Sequence, residues 1–599
     1  MTPVSLEPNQ QSTTTTITTS NSSQLPFGEY LFRRLEQVKN VKSIFGVPGD
    51  FNLGLLEHLY KTQLNWIGGC NELNSGYAAD GYSRYTNSLG VLITTYGVGE
   101  LSALNAIAGG FAEYSKILHI VGIPKTSVLN NEVEKAKHLH HLVPNIDSLK
   151  RSDHYVYTKM VKDVSCISKV LDDSKTIVED LDQVIQAIFK TSRPGYIFLP
   201  LDMADALVDA SKLSQTPADY HLIKDNHPLK TEEITQKILE LVYKSKNPSI
   251  LADVLVSRYH NATELLREFV DLTQFNNYTT FMGKSILDET NPNFVGDYIG
   301  LESNIGIKEN MEASDLILYF GSYINEINTG HYSFDFSEDQ LILLHPDYIK
   351  IGSEFYHGVN FVNVLSSLLI HLDSSKVPTN PPLQYEIKLR FPYLPSKASI
   401  SQSHMLEKFE SFVQPNDVIV CETGSFMFGI PDLKFKSNVK YIAQGFYLSI
   451  GMALPCSTGV GIAMKDQNSS SRLILVEGDG SAQMTIQEIS SFVHYGLNPI
   501  IFLLNNSGYT VERIIKGETR DYNDIKQWNW SKAFEFFEFG DEKNSEVKIV
   551  SNEQELTKAF ASTELNPTKL RFHEVILDKM DCPWRFHHMN GYRHLPATQ

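Results

Sequence analysis

The sequence predicts an α/β protein built from three successive domains, each around a mostly parallel sheet. Two observations predict it. Short apolar runs alternate with segments of helical period, the pattern of βαβ units. At 599 residues and 67.6 kDa the chain is too long for one hydrophobic core, and domains of roughly 100–200 residues make about three of it.

The elements follow from that alternation. In the first domain, taken as residues 25–207, strands are expected at 41–47, 66–70, 89–95, 116–121 and 195–200, with helices at 53–60, 72–85 and 101–111. A polar, weakly periodic linker over about 209–228 leads to a middle domain, 229–374. Helices are expected there at 233–243 and 263–272, and strands at 248–252, 315–320 and 340–345. A Pro- and Ser-rich stretch over 374–401 separates a third domain, 400–580, with strands at 417–421, 472–476 and 499–504. Residues 1–24, which include Thr13-Thr14-Thr15-Thr16, form a polar low-complexity segment expected to be disordered. Residues 581–599 are expected as a C-terminal tail.

Bulk composition excludes several function classes. The 52 basic and 70 acidic residues leave a net charge of -18, and no Lys/Arg-rich block offers a footprint for nucleic acid or anionic membrane. No apolar run approaches the ~18 residues that cross a bilayer. The first basic residue is Arg33, which argues against an Arg-rich mitochondrial presequence. Cys70, Cys166, Cys421, Cys456 and Cys582 are scattered without metal-type spacing. They read as reduced thiols, so a cytoplasmic protein is expected.

Chemistry enters at the strand ends of the third domain, because open α/β sheets bind ligands at the carboxyl edge. Gly478-Asp479-Gly480 follows one expected strand and Asn505-Asn506 the next. Asp479, the Asn506 side chain and the Gly508 carbonyl would give Mg²⁺ part of its oxygen shell, with phosphate and water completing it. Asp-Gly and Asn-Asn are also ordinary turn pairs. Other candidates have plain readings too. Glu72 and Glu512 suit helix starts, Asp50 suits a helix N-cap, and His140-His141 suits a solvated loop. Gly97-Val98-Gly99 is half of a dinucleotide fingerprint.

Taken together, these segments resemble the thiamine diphosphate enzymes. GDG followed by NN at this separation is similar to that family's metal–diphosphate motif, and Asn71-Glu72-Leu73-Asn74 to its glutamate motif. Gly46-Val47-Pro48-Gly49-Asp50-Phe51, Thr95-Tyr96-Gly97-Val98-Gly99-Glu100, His140-His141 and Asn505-Asn506-Ser507-Gly508-Tyr509-Thr510-Val511-Glu512 resemble, in order, the 2-oxo acid decarboxylases typified by pyruvate decarboxylase. The resemblance runs from about residue 26 to 576 and implies two cofactors, thiamine diphosphate and Mg²⁺. It implies Asp479, Asn506 and Gly508 as metal ligands. Thr423, Ser425, Gly480 and Ser481 would stand at the diphosphate, and Ile450 would hold the cofactor bent. Glu72 would bond the aminopyrimidine, while Asp50, His140, His141 and Glu512 would serve the proton transfers that release an aldehyde. The first domain of one subunit and the third of another would form each site, in a homodimer or homotetramer.

Two features bear on the variant of that chemistry. The segment 251–258, where the family's regulatory cysteine falls, contains none. Segments 138–144, 420–426 and 444–455 resemble the fungal phenylpyruvate decarboxylase branch, which acts in amino acid catabolism by the Ehrlich pathway. Its implied substrates are aromatic and branched 2-oxo acids such as phenylpyruvate. A pyruvate-selective enzyme, a thiamine diphosphate sensor of transcription and a flavin-containing carboligase remain open alternatives. In relatives a C-terminal helix covers the site, and the short stretch after Trp584 puts that closure in question.

Overall fold

A computed structural model describes residues 24–215, 219–391, 400–538, 544–561 and 568–590. Besides a two-stranded antiparallel pairing of Gln24–Pro26 with Leu207–Asp209, three larger sheets succeed one another along the chain. The first orders its strands Asn65–Gly68, Ser43–Gly46, Gly90–Thr94, Ile117–Ile123, Gly195–Pro200 and Ile167–Val170, all parallel. The third runs Lys440–Ile442, Val418–Cys421, Leu473–Gly478, Ile500–Asn505, Leu570–Ile576 and Ser545–Val550, also all parallel. Counted within each domain, both sheets have the order 2-1-3-4-6-5. They therefore share one topological switch point, between the first and third strands, where a crevice opens at the carboxyl ends.

The middle sheet is mixed. Phe294–Asp297, Asn276–Thr279, Pro248–Ala252, Leu316–Phe320 and Leu341–Leu344 are parallel, and Tyr348–Ile351 and Glu354–His357 add an antiparallel edge.

The expected elements are largely present, with shifted ends. The helix expected at 72–85 is Glu72–Thr86, and that at 101–111 is Val98–Ala112. The helix expected at 53–60 breaks into Leu53–Leu56 and a 3₁₀ turn, Leu59–Lys61. Short, half-polar strands such as Asn276–Thr279, Glu354–His357 and Ser545–Val550 escape a reading by apolar runs, because sheet neighbours rather than their own composition decide them. Apart from Gln24, the 1–24 segment lies outside the described residues, as do parts of the two linkers and residues 591–599. The start of the expected tail is a short helix, Trp584–Met589. Its Arg585 is 1% exposed and donates to the Glu302 and Phe428 carbonyls and to Asp432, tying the middle and third domains together.

The first and third domains pack helix to helix within one chain. Residues of both belong to a single hydrophobic core, Tyr77, Ala78 and Tyr82 from the first domain and Met452, Cys456 and Val460 from the third among them. A Cβ on Gly459 would stand 1.8 Å from the Ala78 carbonyl oxygen, and one on Gly81 would stand 2.2 Å from that of Cys456. Only glycine admits so close an approach of the helices Glu72–Thr86 and Ala453–Asp466. Asp80 and Arg84, both buried, form an ion pair of 2.8 Å beside this contact, and Arg84 also donates to the Ala443 carbonyl. Among the described residues no helix is long and apolar enough to cross a membrane.

Gly459→Ala should force the two helices apart, because the clash is with backbone that cannot swing away. Overpacking of about 1–3 kcal/mol should lower the apparent melting temperature, followed by circular dichroism, by at least about 3 °C. Gly54→Ala, where nothing lies within 4 Å of the new methyl, should not.

Candidate active site

At the switch point of the third sheet the strand ends open on a cleft of about 220 Å³. Thr423, Ser425, Ile450, Asp479, Gly480, Ser481, Asn506, Gly508 and Glu512 all line it. Asp479 is 1% exposed; its Oδ1 accepts from the Gly480 N–H at 2.8 Å and its Oδ2 from the Gly508 N–H at 3.1 Å. Burial pushes its carboxyl up to about 6, against the pull of those N–H donors.

Asn506 holds its amide oxygen 3.1 Å from Asp479 Oδ1 and 2.9 Å from the Gly508 carbonyl oxygen. Three oxygens this close, one a carboxylate's, repel one another unless a cation sits among them. Turned over, the amide would instead donate to both. The first orientation is a partial oxygen shell of the kind Mg²⁺ takes. The buried Thr423 Oγ1, without a hydrogen-bond partner among the described residues, faces the same cleft with capacity for a phosphate oxygen. These donor atoms fit a metal-bound diphosphate.

The loop that presents Asn506 and Gly508 is held by a residue that motif reasoning missed. Arg513, 2% exposed, donates to the carbonyls of Asn506 at 3.1 Å and Ser507 at 2.6 Å, and pairs with Asp524 at 2.7 Å. A lone arginine at a helix start gives no signal in sequence, since its partners lie in the turn it folds around. Gly508 takes φ +129°, and a Cβ there would meet the Asn523 carbonyl oxygen at 2.3 Å. Glu422 and Glu477 were also missed as a pair. Both are buried on neighbouring strands; Glu422 accepts from the Thr423 and Ala453 N–H groups at 2.8 Å each. Burial raises Glu422 to about 7, and burial with the facing Glu422 raises Glu477 well above the carboxylate range.

Ile450 sits in a turn fixed from both sides. Ser449 Oγ lies 2.7 Å from the Tyr77 hydroxyl and 2.9 Å from Asn105 Nδ2, and Thr485 donates to the Gly451 carbonyl at 2.8 Å.

The remaining predicted residues gather in the first domain, at its own switch point. Asp50 follows the strand Ser43–Gly46, and Gly97 to Gly99 follow the strand Gly90–Thr94. Glu72 opens its helix, whose N-cap Asn71 accepts from the Asn74 N–H at 2.8 Å. A Cβ on Gly99 would stand 3.1 Å from Glu72 Oε1, so the missing side chain leaves the carboxylate open to a planar ring. Asp50 Oδ2 and His140 Nε2 are 2.6 Å apart. His141 adopts φ +69°, its carbonyl accepts from the Tyr157 hydroxyl at 2.6 Å, and a Cβ on Gly97 would press within 2.5 Å of that carbonyl oxygen. Phe51 stacks on His140 at 5.1 Å.

Two half-sites result. Among the described residues, the cleft of the third domain is lined by residues of that domain alone. No hydrogen bond or ion pair among the described residues joins Asp50, Glu72, His140 or His141 to it. The helix contact runs in opposite senses, Ala78 against Gly459 and Gly81 against Cys456. Glu72 and the Ile450 turn, at the two helix starts, thus lie to opposite sides of it.

Comparison with known proteins agrees with this division. Residues 26–149 match the N-terminal TPP binding domain of thiamine pyrophosphate enzymes, residues 235–372 their central domain and residues 423–564 their C-terminal TPP binding domain. The chain is 42% identical to the transaminated amino acid decarboxylase of Saccharomyces cerevisiae, over 97% of each. It is 39% identical to the pyruvate decarboxylase of Candida glabrata and 38% to that of Kluyveromyces lactis, over 94% of this chain and 97% of each relative.

A carboxyl held up to about 6 carries, below that pH, a proton that a cation must displace. The apparent Mg²⁺ affinity in the presence of thiamine diphosphate, read by titration calorimetry, should be flat above pH 7. Below pH 6 it should fall roughly tenfold per unit. Asp479→Ala should lose both the affinity and its pH dependence.

Proposed function

Since the chain belongs to the thiamine pyrophosphate enzymes, as a thiamine diphosphate-dependent 2-oxo acid decarboxylase, we propose that it converts aromatic and branched 2-oxo acids to aldehydes with Mg²⁺ as the second cofactor. We further infer that it works as a homodimer or a dimer of dimers, on amino acid skeletons that have lost their nitrogen, in the cytoplasm. What supports this best is the separation of two groups of candidate residues: the oxygen donors and hydroxyls of the third-domain cleft, and Asp50, Glu72, His140 and His141 in the first domain.

Bound thiamine diphosphate supplies an electron sink for the carbanion that loss of CO₂ would otherwise leave. The protein's own groups do the rest. Asp479, Asn506 and the Gly508 carbonyl would hold Mg²⁺ against the diphosphate, with the Thr423, Ser425 and Ser481 hydroxyls and the Gly480 backbone beside it. Glu72 would donate a hydrogen bond from its carboxyl to the aminopyrimidine ring nitrogen, on the side that Gly99 leaves open. Asp50 and His140, already 2.6 Å apart, can pass a proton between Oδ2 and Nε2, and with His141 and Glu512 would protonate the reacting carbon and assist aldehyde release. Leu448, Ile450 and Val511 give the cleft an apolar wall.

The aromatic and branched preference rests on likeness to the transaminated amino acid decarboxylase. The pyruvate decarboxylases at 39% and 38% identity favour pyruvate as the second reading. With thiamine diphosphate and Mg²⁺ saturating, kcat/KM for aldehyde release should be highest for phenylpyruvate, then 4-methyl-2-oxopentanoate, then pyruvate. Each further CH₂ buried adds about 0.8 kcal/mol, roughly fourfold. A preference for pyruvate overturns the substrate reading, and no aldehyde from any substrate overturns the catalytic one.

Glu72→Gln and Asp479→Ala should each be inactive alone. Co-expressed, they should regain about a quarter of the wild-type activity, because half the dimers are mixed and each then holds one intact site. No recovery would mean that each chain completes its own site.

A further inference from the structure

We propose that Asp50, His140 and His141 form a second metal site, selective for Zn²⁺-like ions over Mg²⁺, whose occupancy switches off the proton-transfer half of the active site. One ligand atom from each of the three lies within 4.8 Å of the other two. Two imidazole nitrogens and a carboxylate oxygen are the donor set of open zinc sites, in which three protein ligands leave a fourth position to water. Nitrogen donors exclude Mg²⁺, which seeks oxygen. The oxygen set at Asp479, Asn506 and Gly508 has the opposite preference, so the two ions sort by ligand chemistry.

The cluster is formed before any ion arrives. The Phe51 ring backs both histidines, at 5.1 Å from His140 and 6.1 Å from His141, and the two imidazoles meet edge to face at 4.7 Å. His141 is held in its left-handed conformation by the Tyr157 hydroxyl. Its Nδ1 is buried without a hydrogen-bond partner among the described residues, a lone pair or proton with nothing to meet. Bonds of about 2.0 Å at tetrahedral angles set ligand atoms roughly 3.3 Å apart. Asp50 and His140, 2.6 Å apart and both more than half exposed, need only small side-chain rotations to open to that spacing. Binding displaces the proton between Asp50 Oδ2 and His140 Nε2 and occupies the two lone pairs between which it would move, so catalysis stops while the diphosphate cleft stays loaded.

Co²⁺ is the probe, because its visible absorption is strong in four-coordinate nitrogen–oxygen sites and weak in six-coordinate oxygen sites. The full-length protein, saturated with thiamine diphosphate and Mg²⁺, should develop the intense four-coordinate band on Co²⁺ addition and lose it to Zn²⁺. His140→Ala and Asp50→Asn, both at exposed positions that do not threaten folding, should each weaken Co²⁺ binding by at least about tenfold without changing Mg²⁺ affinity. Zn²⁺ should inhibit turnover of the wild-type protein with the affinity that the Co²⁺ competition gives. No four-coordinate band, or an unchanged band in either variant, overturns the site. The absorption needs no turnover, so failure here is distinct from failure of the decarboxylase reading.

Discussion

The candidate site residues of this chain are framed by the glycine-lined contact between the helices Glu72–Thr86 and Ala453–Asp466. It fuses two domains that stand at opposite ends of the sequence into one core, with backbone oxygens where side chains would normally intervene. Because one helix begins at Glu72 and the other follows the Ile450 turn, both candidate site positions, the contact sets where each group of candidate residues faces. Its opposed register turns them away from each other. Under the reading proposed above, a second copy would supply the missing half, and the opposed register would be the physical basis for that dimer.

The two halves reuse one topology for different chemistry. Both outer sheets have the same strand order and so the same crevice at the carboxyl ends of their first and third strands. In the third domain the crevice is filled with oxygen donors and short hydroxyl side chains, suited to a cation and an anion together. In the first it holds a carboxylate, a histidine pair and glycines that leave space. The cost of burying Asp479, visible in its raised carboxyl, is what a divalent ion would relieve, so affinity for the metal and strain in its absence have one origin.

Among the described residues, none of the middle domain lines the cleft of the third domain, yet the middle domain is closely knit to the rest. Lys284, fully buried, pairs with Glu289 and Asp297 and donates to the Leu433 carbonyl of the third domain. Arg585 makes a second tie from the short C-terminal helix. These contacts brace the third domain against the middle one, and none was legible beforehand, because a buried lysine or arginine looks like a surface charge until its partners are known.

The sequence by itself determined the α/β alternation, the three-domain division and the candidate residues. Apolar runs at strand length and loop motifs at strand ends are local properties, and Asp479, Asn506, Glu72 and the His140-His141 pair stand in motifs whose spacing survives in one dimension. Only the tertiary structure decided the strand order, the short polar strands and the staple from Arg513 to the Asn506 loop. Each of these rests on contacts between residues far apart in the chain, where what matters is a carbonyl facing a missing Cβ or a guanidinium reaching a turn, and no local pattern encodes such a meeting.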